Sequence, residues 1–212
     1  MTPMTTRPST YHRRVAEQKR AAIIEAATRL FLDAGYAGTS LAKVAEAAEV
    51  SKATLFKQFP TKAALFDAIV TESWKVEDDF RPPTGDLRAG LTAIGRRYVA
   101  LLTRPGMAAL FRIVIAELPR FPELGEAHFE RGKMPYFDSV RRYLDIQNDR
   151  GVATLDDTEL AATQFLGMIS NYVFWPRMLL MDWSPDDASM AHVVDEAVLM
   201  MEARYGVANT AA

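Results

Sequence analysis

Residues 38–59 decide the fold of this chain, and they read GTSLAKVAEAAEVSKATLFKQF. Thr39 or Ser40 is a suitable N-cap for one short helix, and Ser51 is a suitable N-cap for a second helix that ends near Phe59. Two short helices joined by a tight turn within about 20 residues are typical of a helix-turn-helix. The stretch therefore predicts this motif.

The apolar and polar positions of the stretch give each helix a buried and an exposed side. A small core of four residues is expected to fix the angle between the helices: Val44, Ala45, Val50 and Leu55. The exposed side of the second helix then carries Lys52, Ala53, Thr54, Lys57 and Gln58. Lysine can bond guanine, glutamine can pair with adenine, and methyl groups can contact thymine. The alternative is a pair of amphipathic core helices without a nucleic-acid role.

The charges are distributed unevenly along the chain. Residues 1–62 carry ten Lys and Arg against five Asp and Glu, a net charge of +5. Residues 63–212 carry fifteen against twenty-two, a net charge of −7. A basic head on an acidic body favours a polyanionic partner for the head alone. Chance clustering of charges is the alternative.

Helical periodicity continues outward from the motif in both directions and predicts an all-α fold of about nine helices. The first helix is expected over 15–34, where Gly35 ends it, and the fourth over 62–79. A break at 81–85 follows. The remaining predicted helices are 86–103, 107–118, 123–149 with a bend at Pro135, 157–181 with a kink at Pro176, and a last helix ending at Tyr205.

Several protein classes are disfavoured by composition. The chain has no cysteine, which excludes disulfides and thiolate metal sites and is compatible with a cytoplasmic location. No apolar stretch reaches the roughly 18 residues that a membrane span needs, and the N-terminus lacks a signal-peptide pattern. Motifs of hydrolases, P-loop proteins and zinc proteases are missing, and the three histidines are far apart. We expect no enzyme activity, no cofactor, no metal and no membrane partner.

Six short motifs occur at fixed spacing between Ala22 and Ile69. They are IEAATRLF at 24–31, GY at 35–36, TS at 39–40, VA at 44–45, VSKATLF at 50–56 and FPTKAAL at 59–65. This set resembles the DNA-binding domain of the TetR family of transcription regulators. The resemblance implies that Lys52, Ala53, Thr54 and Lys57 lie against bases. It also implies phosphate contacts from Ser40, Gln58 and Lys62.

Two positions depart from the pattern of that family. Phe56 stands where the family usually has tyrosine, so the apolar contact with DNA is kept and a hydroxyl that would bond phosphate is lost. Glu49 stands in the turn where glycine is common. A residue other than glycine costs about 1 kcal/mol at a positive φ, and a carboxylate close to DNA is mildly repulsive.

The C-terminal part resembles the AefR-like group of the same family. The resemblance is carried by residues 111–124, 155–162 and 164–168. It implies that the last two long helices pair with those of a second subunit, and that the body holds a ligand pocket. The predicted ligand-binding residues are Tyr98, Met107, Phe111, Met134, Phe137, Phe165, Met168, Tyr172 and Trp175. Ordinary helical core is the alternative for each of them.

Four segments follow from these observations. They are a disordered basic arm at 1–14, a helix-turn-helix DNA-binding domain at 15–62, a connecting helix and linker at 63–83, and a ligand-binding and dimerisation domain at 84–212. In the arm, Arg13 or Arg14 either enters the minor groove or remains solvated. The expected function is a homodimeric repressor, released from palindromic operator DNA by a small apolar or aromatic effector. The alternative is a DNA-binding scaffold protein of the same fold that needs no ligand.

Overall fold

A computed structural model describes residues 10–76 and 80–207 of the chain, and the regular elements in these ranges are helices. They are α1 (Thr10–Gly38), α2 (Leu41–Ala47), α3 (Lys52–Gln58), α4 (Lys62–Trp74), α5 (Leu87–Leu102), α6 (Met107–Glu117), α7 (Glu123–Glu126), a π-helix (Ala127–Lys133), α8 (Met134–Asp149), α9 (Thr158–Val173), a 3₁₀ turn (Trp175–Met178) and α10 (Asp187–Tyr205). Because α7, the π-helix and α8 follow one another without interruption, they count as one helix. With the 3₁₀ turn left out, the described residues then form nine helices. The predicted all-α fold is confirmed.

The first helix is longer than the sequence predicts. It begins at Thr10, so residues 10–14 are helical where a disordered arm was expected. Exposed Arg13 and Glu17 lie one turn apart on it, 3.7 Å from each other, a pairing that helical geometry permits. The rest of the predicted arm, with Arg7, lies outside the described residues. At the other end Gly35, with φ 73° and ψ 169°, interrupts the helix at the predicted stop.

Proline shapes two helices differently from the prediction. Pro176 does not kink a helix over 157–181, because α9 ends at Val173 and a 3₁₀ turn follows. Proline has no N–H to donate to the carbonyl of Tyr172 four residues earlier, and that carbonyl accepts from Trp183 Nε1 at 3.2 Å instead. Pro135 likewise cannot donate to the residue 131 carbonyl, and the stretch before it is π-helical rather than simply bent.

The fourth helix ends at Trp74, earlier than the predicted Asp79. Positions 77–79 of that prediction lie outside the described residues.

The chain divides into two compact units that differ from the predicted domains. The first contains the described residues up to Glu72 together with Ile113–Ala127, and the second contains Ser73–Arg112 and the described residues from His128 onward. The first unit includes α4 as far as Glu72 because Phe66 packs against Phe31 and Tyr36, with ring centroids 6.1 and 5.6 Å apart. It includes the later segment because Phe121 packs edge-on against Tyr36 at 4.9 Å.

The second unit is built around a close approach of three helices. Gly95 of α5 lies where a Cβ atom would come within 2.7 Å of Val194 on α10 and 3.2 Å of Ile169 on α9. The absence of a side chain at Gly95 therefore permits this packing. The hydroxyl of Tyr136 on α8 donates to the Ile94 carbonyl at 3.2 Å, which attaches a fourth helix to α5.

None of the individual helices in the described ranges is both long and apolar enough to cross a bilayer. Taken together as one bent segment, α5 and α6 meet the same length and composition criteria.

Candidate nucleic-acid interface

The helix-turn-helix begins each of its two helices with a serine cap. Ser40 Oγ accepts from the Lys43 N–H at 3.3 Å, and Ser51 Oγ accepts from the Thr54 N–H at 3.1 Å. Each contact satisfies a backbone donor that the first helical turn leaves without a partner. These two serines therefore set where α2 and α3 start, as the sequence predicts.

The small core under the motif has the predicted composition. Val44, Ala45 and Leu55 are buried, and Val50 in the turn is half-buried. The Val50 N–H donates to the Ala45 carbonyl at 3.0 Å, which closes the turn. Burial of these side chains fixes α3 with its opposite side turned outward.

The outward side of α3 carries two cations, a methyl group and an aromatic ring. Lys52, Ala53, Phe56 and Lys57 are exposed, and they share one helix face because of their spacing. Phe56 is 48% exposed, which is unusual for so large an apolar side chain. Ser40 is exposed at the start of α2. This mixture of charge and apolar surface suits contacts with both the backbone and the bases of DNA.

Two further predicted contact residues already have partners within the unit. The Thr54 hydroxyl lies 2.9 Å from that of Ser51, and Thr54 is half-buried. Gln58 Nε2 donates to the Ala16 carbonyl of α1 at 3.5 Å. Both side chains lie beside the exposed face of α3, and their polar groups are engaged by these contacts.

Lys62 differs most from its predicted role as a phosphate contact. Its Nζ donates to the carbonyls of Tyr36 and Thr39 at 2.7 and 3.1 Å and lies 4.3 Å from the centroid of the Tyr36 ring. Burial lowers the pKa of its ammonium group, and the Glu117 carboxylate partly offsets this effect. Lys62 thus joins the start of α4 to the segment after the Gly35 break.

Sequence reasoning missed a polar and aromatic support from residues 113–127. Glu117 Oε1 accepts from the Ala37 N–H at 3.0 Å, although the two residues are 80 positions apart. Phe121 packs against Tyr36 in the same region. The pKa of Tyr36 is raised to about 12, first by burial and then by Glu123 and Glu117. No local pattern marks these partners, because they meet only in the folded chain.

The turn between α2 and α3 contains the strained residue that the sequence suggested. Glu49 has a φ of 54°, and within the described residues it is the only non-glycine with a positive φ. Its carboxylate is exposed in the same motif as the cations of α3. The turn therefore carries both a conformational cost and a charge unfavourable for DNA.

The nine predicted ligand residues lie in different surroundings in the body. Tyr98 stacks on Tyr136 with centroids 5.3 Å apart, and Phe111 packs against Phe174 at 4.6 Å, while Trp175 is half-exposed. A cavity of about 650 Å³ in the second unit is bordered by none of the nine. Its polar lining includes Arg97, Arg142, Tyr136 and Tyr143.

Comparison with known proteins agrees with this geometry, which defines a helix-turn-helix transcription regulator. Residues 23–69 match the family described as bacterial regulatory proteins, tetR family. Residues 89–207 match the C-terminal domain of AefR-like transcriptional repressors. The chain belongs to the TetR family. The family consists of transcriptional regulators, and the expectation that the chain is not an enzyme is confirmed on that ground.

Individual relatives show how far the similarity extends. The HTH-type transcriptional repressor Rv3405c of Mycobacterium tuberculosis (strain ATCC 25618 / H37Rv) is 40% identical over 70 residues, covering 32% of this chain and 37% of that protein. The match thus spans little more than a third of that relative. The Flavonoid-responsive Regulator FrrA has a TM-score of 0.72 at 27% identity, covering 91% of this chain and 99% of the other. A TetR family regulator from Pseudomonas syringae pv. tomato str. DC3000 has a TM-score of 0.73 at 27% identity, covering 90% and 97%.

The substitution Lys62→Met tests the contacts of Lys62. It removes two charge-assisted hydrogen bonds to partly buried carbonyls and is expected to lower the free energy of unfolding by about 1–2 kcal/mol, less than for a fully buried pair. Urea denaturation measures this loss. As a control, Lys57→Met on exposed α3 should weaken DNA binding and leave stability unchanged. Equal stability of both variants would contradict the proposed joining role of Lys62.

The substitution Glu49→Gly tests the strain in the turn. Glycine adopts a positive φ without steric cost, and the variant is expected to be more stable by about 0.5–1 kcal/mol after the entropy of the unfolded chain is included. It should also bind DNA more tightly at low salt. Glu49→Gln keeps the strain and removes the charge, so it should gain DNA affinity without gaining stability. Thermal unfolding measures the stability. If Glu49→Gly is less stable than the parent, the positive φ of Glu49 does not strain the turn.

Proposed function

We propose that this protein is a homodimeric transcriptional repressor that binds a palindromic operator and is released from it by a small aromatic molecule. The observation that carries the proposal is the exposed face of α3, with Lys52, Ala53, Phe56 and Lys57 directed outward. We also propose a cytoplasmic location, because the DNA of a bacterial cell lies there. The relative Rv3405c is itself named a repressor.

The proposed contacts divide into base reading and backbone positioning. Lys52 and Lys57 can donate to guanine, while Ala53 and the Thr54 methyl group can contact thymine methyls. Ser40 and Gln58 are proposed to bind phosphates, which position the motif without reading sequence. Phe56 supplies an apolar contact beside them.

Several features of the second unit support a homodimer. The proposed interface is formed by α9 and α10, the two helices expected from the family resemblance to pair with a second subunit. Both helices carry exposed apolar side chains, namely Leu160 on α9 and Leu199 and Met200 on α10. A Cβ atom added at Gly167 on α9 would meet nothing within 4 Å in its own chain. An open helix surface of this kind permits a partner helix to approach closely. A dimer could then read two half-sites about 34–36 Å apart.

The aromatic composition of the body supports an aromatic effector. Phe111, Phe174 and Trp74 pack together in the second unit, and the similar protein FrrA is named as flavonoid-responsive. To change operator occupancy from 99:1 to 1:99, the effector must favour the released state by about 5.5 kcal/mol. A scaffold protein of the same fold is the alternative, and it would show no change in thermal stability with any aromatic compound at saturation.

The proposed function predicts that the chain selects an inverted repeat from a random pool of duplex DNA. Lys52→Ala should change the preferred base at one position in each half-site, at a cost of about 1–3 kcal/mol for the parent sequence. Sequencing of the bound fraction measures both results. Arg88→Ala, a change in the second unit, should leave the selected sequence unaltered. Selection of no sequence at all would refute operator binding.

Gly167→Glu is expected to prevent dimer formation. It places a carboxylate where the proposed partner helix approaches, and its Cβ atom meets nothing within 4 Å in the same chain. Analytical ultracentrifugation should show a monomer, and affinity for a full inverted repeat should fall toward that for a half-site. Gly167→Ala is the matched control and should remain dimeric. If Gly167→Glu is still a dimer, α9 does not form the interface at this position.

A further inference from the structure

The second unit buries two polar side chains without hydrogen-bond partners. Trp74 is 5% exposed and His128 is 7% exposed. Trp74 Nε1 and both ring nitrogens of His128 are inaccessible, and the described residues offer them no partner. The two rings lie edge to face with centroids 5.8 Å apart. Buried polar atoms are nearly always paired in proteins, so two adjacent exceptions indicate a binding role.

Three other buried or partly buried polar side chains of the same unit each have a hydrogen-bond partner. Tyr136 donates to the Ile94 carbonyl, Tyr143 donates to the Pro83 carbonyl at 3.1 Å, and Gln147 Oε1 accepts from the Gly85 N–H at 3.0 Å. The Nε2 atom of Gln147 and the Nε atom of Arg177 are also buried without a hydrogen bond. Trp74 and His128 differ from Gln147, because every polar atom of their side chains lacks a partner.

Aromatic rings surround the pair. Phe111 lies edge to face against His128 with centroids 3.9 Å apart, and Phe174 packs against Phe111 at 4.6 Å. Such rings provide a surface on which a flat aromatic ligand can stack. They supply no hydrogen bond to the imidazole or the indole.

His128 is uncharged in these surroundings. Burial, with a smaller effect from the positive charge of Lys133, lowers the pKa of His128 to about 4. A neutral imidazole has one donor nitrogen and one acceptor nitrogen. A carboxylate ligand only accepts and would leave the acceptor nitrogen unpaired, whereas a hydroxyl both donates and accepts.

The backbone at His128 is also unusual. The residue lies in the π-helix Ala127–Lys133, between α7 and α8. π-helical segments are rare and occur frequently at functional sites. The unusual backbone and the unpartnered ring nitrogens thus both mark His128 as a candidate functional residue.

We propose that Trp74 and His128 bind the phenolic hydroxyl of an aromatic effector whose ring packs against Phe111 and Phe174. The hydroxyl oxygen accepts from Trp74 Nε1 and its hydrogen is donated to the acceptor nitrogen of His128. The inference rests on the proposed function, because it specifies the chemical class of the effector.

The test compares 2-naphthol with naphthalene, which lacks only the hydroxyl, using calorimetric titration of the full chain. The parent protein should bind 2-naphthol at least about tenfold more tightly, the value of one well-formed hydrogen bond. His128→Phe keeps an aromatic ring and removes both nitrogens. The ratio of the affinity for 2-naphthol to that for naphthalene should therefore fall to near one. Tyr143→Phe removes a buried hydroxyl elsewhere in the unit and should keep the ratio.

Trp74→Phe provides a second route if His128→Phe does not fold, and it should lower the ratio in the same direction. The proposal is overturned if the ratio is unchanged in the folded variants, if the parent binds neither compound, or if it prefers 2-naphthoate to 2-naphthol. Operator binding is measured separately without any compound. If the parent binds operator DNA but one of these contradicting results is obtained, only the effector site is refuted. If the parent binds no operator, the proposed function is refuted.

Discussion

The kinked segment at residues 35–39 must be held in place before the DNA-binding motif can have a defined orientation. The break at Gly35 interrupts the hydrogen-bond ladder of α1 and leaves backbone groups that need other partners. The Thr39 hydroxyl lies 3.0 Å from both the Leu30 and Gly35 carbonyls, Lys62 donates to two more carbonyls, and Glu117 accepts from the Ala37 N–H. Because α2 starts directly after this segment, these contacts hold the beginning of the motif in position.

The motif itself was predictable from local sequence because its caps, its core and its exposed face are determined locally. Serine caps, a small apolar core and the spacing of the exposed lysines all lie within residues 40–57, and each follows from a rule about neighbours in a helix. The role of Lys62 was not predictable in the same way. A lysine at a helix start has the same local sequence whether its ammonium group faces solvent or the carbonyl of Tyr36, and only the folded chain distinguishes the two.

The helical body was predictable in outline, whereas its interior was not. Periodicity identified the helices, but it could not show that the Tyr172 carbonyl finds a new donor in Trp183, or that α9 therefore ends before Pro176. Counting aromatic residues likewise identified Phe111 as a ligand candidate without identifying its neighbour His128. His128 contacts the Phe111 ring from within the π-helix, which no residue pattern in the sequence predicts.

The two proposed recognition sites break opposite rules of protein packing. Phe56 leaves a large apolar ring in water, and His128 takes a polar ring out of water without a partner. Neither arrangement improves the stability of the isolated chain, since each forgoes a favourable interaction that a different residue would make. Such local inconsistencies are expected where a sequence is adapted to an absent partner. The chemistry of each inconsistency then specifies its partner: an amphiphilic groove for Phe56 and its neighbouring lysines, and a hydroxylated ring for His128.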